Sequence, residues 1–261
     1  MYLRSVRTGL SSLLCAMSFF CLLHAQAPAP ANGQSNNFDL QANMKSIGHD
    51  TYTLAKAKQG YKLTSRFSYH LSGMESEVSD EFKFSDTFTY VEGAASSISS
   101  QMHTSYIPNK ARTELVVGMV QAGVQDSKHL PIKPDFVIMP HYDAGAAQAM
   151  LLLATTHPTA DNLYNVVVPG ATGATPPRDP SEPPGGHQAP GNNAYDALWT
   201  KGPDATGTLD GKPVALHSYV LTGGKNTWSF FADTDGTLMQ LDNSMVHASY
   251  VRAKFKLDLP Q

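Results

Sequence analysis

The stretch from Thr227 to Leu259 constrains the fold of this chain most. Trp228-Ser229-Phe230-Phe231-Ala232 and Thr237-Leu238-Met239-Gln240-Leu241 flank Asp233-Thr234-Asp235-Gly236. Asp-Gly between two runs of strand formers predicts a tight hairpin, because a type I′ turn needs positive φ and glycine adopts it without a steric penalty. The run that follows alternates. Val251, Ala253, Phe255, Leu257 and Leu259 share one parity, and Tyr250, Arg252, Lys254, Lys256 and Asp258 share the other. That period of two predicts a strand with one dry and one wet face.

The chain opens differently. Arg4 and Arg7 precede an apolar run from Leu10 to Leu23, and Ala25-Gln26-Ala27 supplies a small-x-small cleavage pattern. The run is short for a membrane span, so residues 1–25 read as a signal peptide, with no stable span after its removal. Both cysteines, Cys15 and Cys21, fall inside it. The exported chain is then cysteine-free and has no disulfide, thiolate nucleophile or cysteine metal site. Of 19 Lys and Arg, Arg4 and Arg7 leave with the signal, so about 17 face 22 Asp and Glu, a net charge near −5. Mild acidity argues against nucleic acid as a partner. A bacterial periplasm or the exterior is the expected location.

Residues 26–45 read as a flexible leader, polar and Pro-rich at first. Leu40, Met44 and Ile47 are spaced for a short helix that Gly48 interrupts. From His49 the period is two. Tyr61, Leu63, Phe67, Tyr69 and Leu71 share a face, and Phe82, Phe84, Phe88 and Tyr90 mark a further strand, with Asp86 at a bulge or strand end. Glu75 to Asp80 reads as a polar edge strand and Gly93 to Ser100 as a loop. Met102, Thr104 and Tyr106 alternate, and Glu114 to Val120 is apolar on both parities. Asp143 is placed to cap a helix over Ala144–Thr156 that is apolar nearly all round and must therefore be buried on most sides. Residues 169–194 hold seven prolines from Pro169 to Pro190 and several glycines, and read as an insertion without packing power. A second Asp-Gly, Asp210-Gly211, marks another hairpin.

These signals predict a mainly β protein of about nine to eleven strands. Short turns imply one large curved antiparallel sheet, half-barrel-like, wrapped around one buried apolar helix. Residues 46–261 form a single β-rich domain in this reading, and the dry face from Val251 to Leu259 meets the helix.

A signal peptide, a long antiparallel meander and one apolar helix together resemble the half-barrel envelope proteins typified by the periplasmic lipoprotein carrier (LolA-like). Gly48-His49-Asp50-Thr51-Tyr52 and Trp228…Asp235-Gly236-Thr237-Leu238 also look like secreted bacterial β-domains that precede hydrolases. The Pro-rich stretch is not part of that pattern. The resemblance implies an apolar concave cavity able to hold an acyl chain, with a lipid or lipidated protein as partner. Its lining candidates are Tyr61, Phe67, Tyr69, Phe82, Phe84, Phe88, Met102, Leu115, Met119, Trp228 and Phe230. The same positions also suit an ordinary core, which would make the protein a structural or interaction domain accessory to an envelope assembly.

Catalytic signals are sparse. Gly-x-Ser-x-Gly, His-Glu-x-x-His and phosphate loops do not occur. His141, Asp143, His157 and Asp161 have zinc-ligand chemistry, but a helix separates the pairs by about 20 Å at 1.5 Å per residue, so they read as structural or capping groups. Asp233-Thr234-Asp235-Gly236 lacks the later ligands of a calcium loop and reads as a turn. Glu75, Glu77, Asp80 and Glu81 read as a solvated edge, leaving a hydrolase with dispersed carboxylates the least favoured reading. No catalytic residue, metal or cofactor is expected.

Overall fold

The computed structural model describes residues 33–71, 74–139, 143–169, 193–223, 226–244 and 247–258. The N-terminal segment read above as a signal peptide and most of the Pro-rich stretch lie outside them. The described chain forms one 17-stranded sheet and one helix. The strands are β1 (Ser35–Ala42), β2 (Lys45–Lys56), β3 (Tyr61–Leu71), β4 (Met74–Phe84), β5 (Tyr90–Ser97), β6 (Met102–Pro108), β7 (Glu114–Gln121), β8 (Val124–Pro131) and β9 (Val137–Ile138). After helix α1 (Ala144–Thr156) come β10 (Leu163–Val168), β11 (Asn193–Lys201), β12 (Ala205–Leu209), β13 (Lys212–Gly223), β14 (Asn226–Asp233), β15 (Leu238–Asn243), β16 (Ala248–Arg252) and β17 (Phe255–Leu257).

From β1 to β8 each strand pairs antiparallel with the next. On its other side β1 pairs with β16, and the ladder continues through β15, β14, β13, β11 and β10 to β9, whose pairing with β10 is parallel. The mainly β, single-sheet expectation holds, with more strands than the alternation showed. The sheet does not close by a ladder between β8 and β9. Past the end of β8, Ile132 N–H adds one more rung toward β7 by donating to the Thr113 carbonyl at 3.0 Å, and Lys133 N–H then reaches across to Asn165 Oδ1 of β10 at 3.2 Å.

Four expectations are corrected. Ser35–Ala42, assigned to the leader, is strand β1, with Asn36, Phe38 and Leu40 buried on one parity. Met44, in the proposed short helix, lies in the turn to β2 with φ 62°. Glu75 to Asp80 is not an edge, because β4 is held by β3 on one side and β5 on the other. Gly93 to Ser100 is largely strand β5, whose small residues admit the Phe82 ring: a Cβ on Gly93 would stand 2.1 Å from it.

The closing run also differs. It breaks after Arg252, where Lys254 takes φ 65°, and β17 leaves to pair with β12. Tyr250 turns into the main core, whereas Val251, Phe231, Phe255, Leu216 and Met239 form a second, smaller core. The dry face from Val251 to Leu257 therefore does not meet the helix (Leu259 lies outside the described residues). Helix α1 packs on β2, β15 and β3. Ala144 to Ala154 are all buried, as an apolar helix covered on every side requires.

Turn chemistry matches its residues closely. Asp210 and Gly211 take φ 52° and 76°, as a two-residue type I′ hairpin demands. At Asp233-Thr234-Asp235-Gly236 only Gly236 is left-handed, and Asp233 N–H donates to the Thr237 carbonyl at 3.0 Å. This is a longer loop with a glycine bulge, so the type I′ expectation there is corrected. Gly60, at φ 71°, admits no side chain, since a Cβ would stand 1.8 Å from the Phe84 carbonyl oxygen. Gly60→Ala is expected to lower unfolding stability by about 2–4 kcal/mol, combining left-handed strain with displacement of the 84–85 backbone. Urea unfolding measures it, and a loss below about 1 kcal/mol would contradict this account.

Candidate functional site

Three carboxylates meet at the N-terminus of α1. Asp143 caps the helix, its Oδ1 accepting the Ala146 N–H at 2.6 Å. Asp50, on β2, accepts the Ala144 N–H at 2.6 Å through Oδ2. Asp80, on β4, lies in hydrogen-bonding reach of Asp143 and Ser65. The three are 0–3 % exposed. Strand register explains the gathering: Ser65 sits opposite both Tyr52 and Asp80, so β2, β3 and β4 present one inward row.

Burial dominates their ionisation. Desolvation, then the negative charge of Asp143, pushes the Asp80 carboxyl up to about 9. Asp50 is raised well above its ordinary value by the same two causes. Asp143 is raised by desolvation, against the lowering effect of its helix N–H bonds and of Asp80. At neutral pH Asp80 therefore keeps its proton and can turn it toward Asp143, which stands at the positive end of the helix. An acid beside a carboxylate has general acid–base chemistry, but all three side chains are almost fully buried. Their arrangement pins the helix start to two strands.

One turn further along α1, Gln148 makes a second polar node. Its Oε1 accepts from Tyr52 Oη and from Leu238 N–H, both at 2.8 Å, and its Nε2 donates to the Gly236 carbonyl at 2.9 Å. Gln148 thus ties the helix to β2 and to the β14–β15 hairpin.

Two concavities lie on the opposite, polar face of the sheet. A trough of about 670 Å³ runs over β3–β6, with Thr64, Ser79, Glu81, Lys83, Glu92, Ser96, His103 and Ser105 along it. His103 and Ser105 also line a neighbouring depression of about 420 Å³, with Gly118, Met119, Val120, Gln125, Asp126 and Ser127 of β7 and β8. Charges in the trough are paired, Lys83 with Glu92 at 2.7 Å and Lys62 with Glu81 at 2.9 Å. Ser96 Oγ and His103 Nδ1 are 2.9 Å apart.

The eleven proposed cavity residues are divided by the fold. Phe67, Phe82, Phe84, Phe88, Leu115, Trp228 and Phe230 belong to the buried core with α1, and Tyr61 and Tyr69 pack against it. Phe82 sits near Tyr90 and Tyr106, and Tyr61 stacks on Phe88 at 4.4 Å between centroids. Met102 is half-buried at the start of β6, and Met119 lines the polar depression. Asp80, expected on a solvated edge, is instead buried, because β4 is central and Asp80 shares the inward parity of Phe82. Asp143 and His157 cap the two ends of α1, and His141 lies outside the described residues. Among the described residues, no group of three or more His, Cys, Asp and Glu is placed to hold a metal ion, and no helix is long and apolar enough to cross a membrane. No protein-family model, curated protein or solved structure matches the chain.

Proposed function

We propose that this is an exported, non-enzymatic envelope protein that acts as a binding domain and takes its ligand on the polar outer face of β3–β8. The observation that carries the reading is the position of the open space: the larger concavity is hydroxyl-lined and lies outside the sheet, while the helix and aromatic side chains occupy the inner face. Export rests on the basic and apolar segments of the first 25 residues. The trough volume falls in the range of small-molecule sites. Its lysines are matched by glutamates, so a neutral, hydroxyl-bearing ligand such as a short oligosaccharide suits it better than an ion. The lipid reading implied by the carrier resemblance would require α1 to leave the sheet.

Backbone amide NMR separates the two. Titration with neutral oligosaccharides of two to four sugars is expected to move the resonances of Ser79, Glu81, Ser96 and His103. Ser105→Trp, which fills the trough at an outward position, is expected to weaken that binding about tenfold or more without unfolding the chain. Saturable one-to-one uptake of a fluorescent fatty acid, with no response to any sugar, would overturn the proposal.

A further inference from the structure

We propose that β8 is a self-pairing edge, through which two copies of this chain join antiparallel about a two-fold axis centred on Ser127. Among the described residues β8 pairs only with β7, and Val124 to His129 are exposed on both faces of the strand. Such an edge carries a row of backbone donors and acceptors aimed at a partner.

The direction of those groups is fixed by three contacts. Ile132 N–H reaches the Thr113 carbonyl in register with the β7–β8 ladder, so even-numbered residues turn their backbone toward β7. Asn109 N–H donates to the Glu114 carbonyl at 2.8 Å in register with the β6–β7 ladder, so even-numbered residues of β7, Gly118 among them, turn their backbone toward β6 and not toward Ser127. Ser127 N–H donates at 2.7 Å to Asp126 Oδ1, away from β7, and pairing exchanges this local bond for one to the copy's Ser127 carbonyl. Gln125, Ser127 and His129 therefore present the outward groups, and Pro131 ends the row.

An antiparallel partner must match outward residues with outward residues, which leaves few registers. Centring on Asp126 sets Asp126 against its own copy, and centring on Lys128 sets Lys128 against its copy. Both place like charges at the closest side-chain separation. Centring on Ser127 sets Asp126 against Lys128 twice and Val124 against Leu130 twice. The strand is thus complementary to itself in one register and repelled in its neighbours, which is how charge patterns specify a partner. Gln125, Asp126 and Ser127 also line the smaller depression, so pairing would bring the outer-face grooves of two copies end to end. A single strand pair is small beside the roughly 1,200 Å² of stable interfaces, so a concentration-dependent dimer is expected.

Sedimentation velocity of the full chain from about 5 μM to about 1 mM tests this. The unmodified chain is expected to pass from monomer to dimer across that range, with association weakened by salt. D126K and K128D are each expected to dimerise about tenfold more weakly or not at all, because each sets like charges opposite. An equimolar mixture of D126K with K128D is expected to restore a heterodimer, and the double variant D126K/K128D a homodimer. Far-ultraviolet circular dichroism confirms that these exposed substitutions leave the fold intact. A chain that stays monomeric to about 1 mM, single variants that dimerise like the parent, or a mixture that stays monomeric would each overturn the proposal.

Discussion

Asp80→Asn is expected to stabilise this protein at pH 8, by about 2–4 kcal/mol, and to flatten its stability against pH. A buried carboxyl whose folded pKa lies near 9 against an ordinary value of 3.8 holds its proton in the fold and loses it on unfolding. The folded state then binds more protons than the unfolded one, so stability falls as pH rises. The contribution is fully present below about pH 3.8 and is lost progressively up to about 9, at up to about 1.4 kcal/mol per unit for one group. Asparagine has nearly the same shape, is neutral at every pH, and retains a donor toward Asp143. It removes the titration while keeping the contact. Urea unfolding at pH 5, 6.5 and 8 measures the effect on both proteins. A parent chain more stable at pH 8 than at pH 5, or an Asp80→Asn variant with an unchanged pH slope, would refute this account of the cluster.

The acid side runs the other way. Asp86, Asp196 and Asp204 are held below the ordinary carboxylate value by Lys56, Lys133 and His217 respectively. Their small surface contributions are present above about pH 3.8 and vanish below it. Maximum stability is therefore expected between about pH 4 and pH 6, an acidic optimum set by the buried carboxyls rather than by net charge.

Residue patterns revealed some elements and hid others for identifiable reasons. β3 and the Phe82–Phe84 end of β4 were legible because aromatic and aliphatic residues alternate with polar ones against a one-sided core. The helix was legible in both bounds, since Asp143 caps it and His157-Pro158 ends it. β8 was hidden because a strand exposed on both faces has no apolar period to detect. β5 was hidden because neighbouring rings fill the space its small residues leave. The candidate site was the least legible part. Asp80 stands among Glu75, Glu77 and Glu81, and composition there describes a wet edge. Only the register with Ser65 and Tyr52 turns Asp80 inward toward Asp143, and register depends on pairings across the whole meander.

The largest loss is expected at Gln148. Gln148→Leu keeps the size and helix propensity of the side chain but removes partners from the Tyr52 hydroxyl, the Leu238 N–H and the Gly236 carbonyl. Tyr52 and Leu238 are buried, so two of those groups lose their partner where water does not replace it. At about 1–3 kcal/mol for each orphaned group the expected cost is about 3–5 kcal/mol. A double-mutant cycle identifies its origin. Tyr52→Phe alone should cost about 1 kcal/mol, because it leaves Gln148 one donor short. In the Gln148→Leu background the same change removes an already orphaned hydroxyl and should cost nothing or return about 1 kcal/mol. Additive losses would mean that the two side chains act independently and that Gln148 does not tie the helix to β2. The outcome also bears on binding: a helix held by Gln148 in mid-length and by two carboxylates at its start resists withdrawal, so an acyl chain would have to displace this network as well as the core before it reached the inner face.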